Sequence, residues 1–337
     1  MSDAPSPSPV PNAAVPVQLS GIGHYFPGDP ITNEYFEGLP DLDVDDAWIR
    51  EHTGVESRHW AGPGERFAEM GVKAARLALK DACLEASDID VVIGTSATAR
   101  PRVNPSSMGN NYMDISLPVQ RQLGAHDAFC FDVTSVACAG FLYASVVARG
   151  LLATMGLRNA LVVCAESPKA ILNFRYKNSA LFGAGAAAAV WTVPEDGRNG
   201  MLDVALRADG RYYDAFDIDE QDKMVMRGGV LGEVTPGMLI DAGETVLKRN
   251  DLTADQIAWC VPHQANANLL YPVAQHLGIP RERVLLNLPS RGNTSSVGMP
   301  GTLSEFVHNG TVQPGELLLG VSIGRGISWG AMLFTYR

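Results

Sequence analysis

The chain has 337 residues, 46% of them hydrophobic and 19% charged, with a net charge of −11 at neutral pH. That length and balance allow one large globular unit or two ordinary domains, and exclude a disordered chain or a mini-protein. The negative charge argues against nucleic acid as a partner, which would need a basic face.

The opening "MSDAPSPSPVPNAAVP" has neither a basic start nor a continuous apolar stretch, so residues 1–15 read as a floppy Pro/Ser/Ala tail and not a signal peptide. A helical period follows from Ala68 to Leu84. The run "DVVIGTSAT" (Asp90 to Thr98) then has the unbroken apolarity of a strand buried on both faces, as does "AFCFDV" (Ala128 to Val133). A helical stretch from Cys138 to Met155 leads to two more strands, "NALVVCAES" (Asn159 to Ser167) and "AAAAVWTV" (Ala186 to Val193). Beyond it come a helix from Pro236 to Arg249, strand "IAWCVPH" (Ile257 to His263), a helix from Ala265 to Leu277, and strands "RVLLNL" (Arg283 to Leu288) and "ELLLGVSIG" (Glu316 to Gly324). Alternation of this kind predicts a layered α/β fold. No run of about eighteen apolar residues is free of charge, so no membrane span is expected.

The segment "LKDACLEASDIDVVIGT" (Leu79 to Thr95) aligns without gaps on "LKRNDLTADQIAWCVPH" (Leu247 to His263), at an offset of 168 residues, half the chain. Each copy reads as helix, turn, strand, and the repeat implies two similar halves. Chance likeness between two such units is the alternative. The repeat places Thr95 and His263 at equivalent strand ends, where open α/β sheets carry their sites.

Five cysteines, odd in number and without CxxC spacing, suit reduced thiols in a cytoplasm. Cys83, Cys164 and Cys260 are assigned to the core. Cys138, in "DVTSVACAGF", stands where a strand gives way to an apolar helix. It is either buried filler or a nucleophile whose thiol pKa the helix N-terminus lowers. His263, in "AWCVPHQANANLL", follows a strand that ends at Pro262, with Gln264 beginning the next helix. It is a base or merely a capping residue. Asn293 lies in the turn-forming loop "LPSRGNTSSVGMPG", ahead of a helix beginning near Met299. In "GVSIGRGISWGAMLF" glycines interrupt two strand-like runs, which marks a hairpin or a close approach of backbone to a ligand.

With these segments in order, the sequence resembles β-ketoacyl-acyl carrier protein synthase III, a condensing enzyme of the thiolase superfamily. "GIGHYFP" (Gly21 to Pro27), "WIREHTGVESR" (Trp48 to Arg58), "ACAGF", "VPHQAN", "GNTSS" and "SWGAMLF" carry the resemblance over nearly the whole chain. It implies a five-layered αβαβα, thiolase-like α/β fold of two similar halves, residues 16–195 with the nucleophile and 196–337 with the His and Asn, normally as a homodimer. It also implies a Cys138-His263-Asn293 triad, with an oxyanion hole from the backbone N–H of Cys138 and of Gly326. Asn as third member separates this group from thiolases and from condensing enzymes with two histidines. Substrates would be thioesters on coenzyme A or on the phosphopantetheine of acyl carrier protein, with no metal or redox cofactor. Substrate-contacting positions by the same likeness are Trp48, Tyr176, Asn104, Phe182 and Arg325.

Departures from the family pattern fall around the substrate. His52 replaces the arginine of "TRTGI" while Trp48, which stacks on the adenine of coenzyme A, is kept. Tyr176 aligns with the second arginine of that clamp, and Arg175 is adjacent. Asn268 replaces an arginine used in docking the acidic carrier protein, and Gln275 and His276 replace a basic pair, losses that slow association with an acidic partner. Ala184 replaces the aspartate of "FGDGAGA", and "GRGISWG" for "GGGFTWG" sets Arg325 beside the oxyanion donor. The loop Asn104 to Gly124 is longer than its counterpart, with Asn104 in place of a phenylalanine.

These departures favour a Claisen-condensing enzyme in a specialised polyketide or fatty-acid-derived pathway. The alternative is the housekeeping enzyme that initiates fatty-acid synthesis from a short acyl-coenzyme A and malonyl-carrier protein. A third reading is an acyltransferase to an alcohol or amine with the same acyl-Cys138 step. The intact triad counts against a non-catalytic subunit, and nothing in the Asn293 loop favours a cysteine hydrolase.

Overall fold

A computed structural model of the chain describes residues 15–62, 65, 67–99 and 114–337. Most of the predicted tail, Asn104, and residues 104–113 of the longer loop lie outside the described residues.

Two sheets form the frame. The first orders its strands as Gln18–Tyr25, Gly185–Thr192, Asn159–Glu166, Val91–Thr95 and Phe129–Val133. The second runs Trp259–Pro262, Leu317–Gly324, Ser328–Thr335 and Met201–Ala208. Each has antiparallel strands on one side and parallel strands on the other, three in the first sheet and two in the second. The two apolar helices Gly140–Met155 and Gly298–His308 touch both sheets, and their side chains share one core with Trp191, Val162, Leu318 and Phe334. Helices Phe67–Ala82 and Ser116–Leu123 cover the outer face of the first sheet, and Gly228–Arg249 with Ala267–His276 that of the second. Helix, sheet, helices, sheet, helix is the five-layered order expected. It also explains how Ala137–Met155 can be long and apolar enough to cross a membrane: a central layer is buried from both sides.

The repeat extends into hydrogen bonding. Leu84 N–H donates to the Leu79 carbonyl at 3.0 Å, and Leu252 N–H to the Leu247 carbonyl at 3.0 Å, the same bond 168 residues on. Cys83 and Asp251, again equivalent, share a left-handed backbone with φ of 55° and 51°. The one-turn helices Ala86–Asp88 and Ala254–Gln256 follow at the same offset. Two departures from expectation stand out. The run 283–288 forms no ladder: only a single bridge links Val284 to Cys260, because Pro280 and Pro289 bound a stretch occupied by a one-turn helix and the loop beneath Gln264. Ser328–Thr335 is the second strand-like run of the predicted hairpin, whereas Gln18–Tyr25 and Met201–Ala208 complete the sheets without having been singled out as strands, since glycine or charge interrupts each apolar run.

Close contact of helix Phe67–Ala82 with the first sheet depends on two glycines. A Cβ on Gly23 would collide with the Ala74 carbonyl and stand 2.6 Å from Ala78 N, and one on Gly21 would stand 2.6 Å from Ala82 N. Backbone cannot step aside as a flexible side chain does, so Gly23→Ala is expected to cost about 1–3 kcal/mol. Urea denaturation checks this: the midpoint should fall, with the far-UV spectrum retained at low denaturant.

Candidate active site

The nucleophile candidate sits on a strained turn. Strand Phe129–Val133 ends, Ser135 and Ala137 adopt left-handed backbone with φ of 73° and 45°, and Cys138 lies in the one-turn helix Ala137–Ala139 that feeds Gly140–Met155. Two contacts hold the turn from below. Gly140 lies so close to Thr95 that a Cβ would meet its side chain, and Gly324 so close to the turn that a Cβ would stand 2.9 Å from Cys138 N. Thr95, at the end of its strand, therefore supports the turn. The segment "GVSIGRGISWG" is a hairpin, and its Gly324 packs on the Cys138 turn. Ser322 Oγ donates to the Cys138 carbonyl at 3.0 Å.

The second half repeats the arrangement. Ser295–Val297 is a one-turn helix ahead of Gly298–His308, Ser295 has φ 51°, and a Cβ on Gly298 would stand 3.2 Å from His263 Nδ1. His263 thus occupies the place Thr95 has in the first half. Its N–H donates to the Val321 carbonyl at 2.8 Å, which extends the strand one residue past Pro262. The next helix starts at Ala267 and not at Gln264, because the Asn266 carboxamide oxygen accepts from Asn268 N at 2.8 Å as its cap. Gln264 is instead buried and tied to Pro262, Leu285, Asn287 and Leu288.

Asn293 is fixed by backbone on both sides: its N–H donates to Leu181 at 2.7 Å and its carbonyl accepts from Gly183 at 3.0 Å. Glycines permit this approach, for a Cβ on Gly292 would stand 2.6 Å from the Leu181 carbonyl and 3.2 Å from Cβ of buried Arg58. The Asn293 side-chain oxygen accepts from Ser295 N at 2.9 Å. That commits the oxygen and leaves the amide N–H groups for the cavity.

Cys138, His263 and Asn293 line one cavity of about 600 Å³, together with Phe182 and Arg325. A recess of about 10 Å³ adjoins it, bounded by Cys138, Phe182 and Asn293 with Thr98, Ile171 and Met224. A larger hollow of about 1000 Å³, between residues 67–69 and 114–126, holds none of the candidate residues. Burial governs the charges. It pushes the Cys138 thiol up to about 12, with nearby Glu166 adding to the rise and the Ser295 hydroxyl, 3.3 Å away, opposing it. Burial therefore acts against the lowering expected from the helix N-terminus, because desolvation disfavours the thiolate. Burial also lowers His263 to about 4, against a backbone hydrogen bond at Ser295. Both groups rest neutral at pH 7.

Trp48 and Tyr176 lie outside the cavity lining. Trp48 stacks on His52 at 4.3 Å with Lys177 Nζ 5.0 Å from its ring centroid, and Tyr176 is exposed. Arg175 stands 3.6 Å from Asp41. Asn268 Nδ2 donates to the Glu51 carbonyl at 2.8 Å, so the position expected to dock a carrier protein instead caps helix Asp46–Thr53. Gly326 falls in the hairpin turn next to Arg325, with φ 122°. The sequence reading missed Glu166, whose buried carboxylate accepts from Thr98 Oγ1 at 2.6 Å and Ser296 Oγ at 2.5 Å. A lone acid closing the apolar strand "NALVVCAE" was the available signal. It also missed the hairpin Phe216–Ile218 and Met224–Met226 that walls the cavity. Among the described residues no group of His, Cys, Asp and Glu could hold a metal ion.

Residues 131–210 match the family described as 3-oxoacyl-[acyl-carrier-protein] synthase III, and residues 247–336 match its C-terminal family. A β-ketoacyl-[acyl-carrier-protein] synthase III of Rhodobacter capsulatus is 33% identical, over 94% of this chain and 98% of its own. The 3-oxoacyl-[acyl-carrier-protein] synthase III of Aquifex aeolicus superposes with a TM-score of 0.86 at 31% identity, covering 95% of this chain and 100% of its own. The priming β-ketosynthase of the R1128 polyketide biosynthetic pathway gives a TM-score of 0.86 at 27% identity, over 98% of this chain and 99% of its own. Likeness of this extent, in sequence and in the placing of both sheets, means that the chain belongs to the 3-oxoacyl-[acyl-carrier-protein] synthase III family of condensing enzymes, on a thiolase-like fold.

Proposed function

We propose that the protein joins an acyl group held on Cys138 to a malonyl-type thioester carried on acyl carrier protein, forming a β-ketoacyl thioester. The observation that carries this reading is the meeting of Cys138, His263 and Asn293 in one cavity, with His263 kept neutral by burial and the Asn293 oxygen engaged by Ser295 N. Cys138 Sγ attacks the first thioester. Its proton passes to neutral His263 and on to the departing thiol, while backbone N–H groups of Cys138 and Gly326 hold the oxyanion. The second thioester then loses carbon dioxide, and the electrons of the broken C–C bond pass to an enolate whose oxygen accepts from His263 and Asn293. Its carbon attacks the acyl carbonyl and expels Cys138 sulfur. No step calls for a metal or redox cofactor.

The names of the curated relatives support initiation of fatty-acid synthesis more than a specialised pathway. The specialised reading keeps one observation in its favour. Trp48 is already stacked on His52, and Asn268 is engaged with Glu51, so neither coenzyme A nor an acidic carrier protein finds its usual family partners here. Among the described residues Phe129–Val133 is an edge strand with Phe129 exposed, which supports a homodimer in which a second copy extends the first sheet.

Intact-mass measurement with a panel of acyl thioesters tests the covalent step. Wild type should gain one acyl group and Cys138→Ala none; equal gain by both sinks the mechanism. Asn293→Ala and His263→Ala should keep acylation at least in part and lose condensation, by about 100- to 1000-fold for the loss of one oxyanion donor.

The pH response follows from burial. Between pH 6.5 and 4 the unfolded chain takes up a proton at His263 that the folded chain refuses. Stability should therefore fall as pH drops through that window, by up to about 3 kcal/mol from this residue. Half-buried His24 and buried His59, also lowered mainly by desolvation, act in the same direction. Urea titrations at pH 7.5, 5.5 and 4.5 should show His263→Asn losing less stability on acidification than wild type; equal losses would contradict the assignment.

A further inference from the structure

Among the described residues that line the Cys138 cavity, Arg325 is the one with a charged side chain at neutral pH. The others are apolar side chains, glycines, a threonine, carboxamides, the Cys138 thiol and neutral His263. A lone guanidinium in such a wall strengthens any anion contact it makes, because the low-polarity lining screens poorly. No carboxylate lines the cavity to neutralise it.

Its position is set by backbone. Gly324, one residue earlier, presses on the Cys138 turn, where an added Cβ would stand 2.9 Å from Cys138 N. Arg325 therefore springs from the reacting end of the cavity. Its Nε donates to the Phe216 carbonyl at 3.1 Å, and one terminal nitrogen stands 3.5 Å from Asp217 Oδ1. That pair is loose and partly exposed, 37% for the arginine and 49% for the aspartate, so it holds the side chain only weakly. Of the five guanidinium N–H groups, one is committed to Phe216, and the terminal fork retains the geometry that suits a carboxylate.

We propose that Arg325 binds the free carboxylate of a dicarboxylic acyl thioester of the malonyl type, and so selects that class over uncharged thioesters at the second substrate step. The inference rests on the condensing reading above and adds the residue that recognises the charge. The phosphate of a pantetheine arm is the other anion a thioester brings, but it lies at the far end of the arm from the sulfur, whereas Arg325 is rooted beside Cys138. A carboxylate a few bonds from the thioester carbonyl is the anion that arrives there.

The test uses full-length protein acylated on Cys138. It is offered malonyl-pantetheine, which has no phosphate, and, as competitive inhibitor, the same thioester with its free carboxyl methylated. Wild type should show a KM for the acid about 10- to 100-fold below the Ki of the ester, the worth of one charge-assisted hydrogen-bonded contact. Arg325→Gln and Arg325→Gly should close that gap by raising KM more than they lower kcat, and Arg325→Lys should keep part of it. A gap absent from wild type, or undiminished in Arg325→Gln, overturns the proposal. Equal weakening of acid and ester in the variants also overturns it, since that assigns Arg325 to cavity shape alone. If no donor acylates Cys138, the condensing reading fails and takes this inference with it.

Discussion

Each half of the molecule ends a central strand against the turn that the other half uses at the site. Leu317–Gly324 delivers Gly324 beneath the Cys138 turn, and Asn159–Glu166 delivers Glu166 beneath the Ser295–Val297 turn. The two strands are eight residues long and correspond at an offset of 158. Each turn also rests on its own half, Gly140 against Thr95 and Gly298 against His263, and the exchange adds a contact from the other half. The layered fold is in this sense the device that holds parts from two half-chains in register.

The exchange is symmetrical in backbone and asymmetrical in chemistry. Glycine at 324 lets the Cys138 turn settle directly onto the strand, whereas at the equivalent position Glu166 reaches across with a carboxylate. An ionised carboxylate without water is costly unless its lone pairs are met. Here Ser96 Oγ, the Ala97 and Thr98 amides, Thr98 Oγ1, and both N–H and Oγ of Ser296 all donate to it. No Lys or Arg among the described residues pairs with it. Donors from residues 96–98 and from Ser296 converge on one group, so the loop of the first half and the Asn293–Ser296 segment of the second cannot shift independently. A network satisfied this fully fixes geometry in addition to any stability it gives.

What could be read from sequence follows the length over which each feature acts. Continuous apolar runs such as "LVVCA" and the helix after Cys138 announce themselves, because two-sided burial imposes an unbroken pattern. The helix-turn-strand repeat at offset 168 was legible because main-chain bonds at Leu84 and Leu252 require the same turn twice. The correspondence at offset 158, Cys138 with Ser296 and Glu166 with Gly324, was not legible, since the paired residues share position and differ in chemistry. Strand 283–288 failed for the opposite reason: β-rich residues were present, but prolines and the Gln264 loop left only the Val284 bridge. Arg325 was visible as a departure, and its place in an otherwise uncharged wall became visible only when 21 lining residues from distant segments came together.

Burial sets the protonation of the cysteine and histidine in the cavity. Cys138 holds its proton and His263 declines one, both because the cavity withholds water from their charged forms. A thiolate–imidazolium pair would be ready to attack any electrophile that reached it; a neutral thiol and neutral imidazole wait for a carbonyl already seated against the backbone donors. In the proposed reaction negative charge would move from sulfur to the oxyanion as it forms, and the proton would pass to His263. An imidazole that has handed that proton on is neutral again and keeps one N–H, the donor the proposed enolate would need. One physical condition, burial by the two interlocked halves, thus acts on both groups that the proposed chemistry uses.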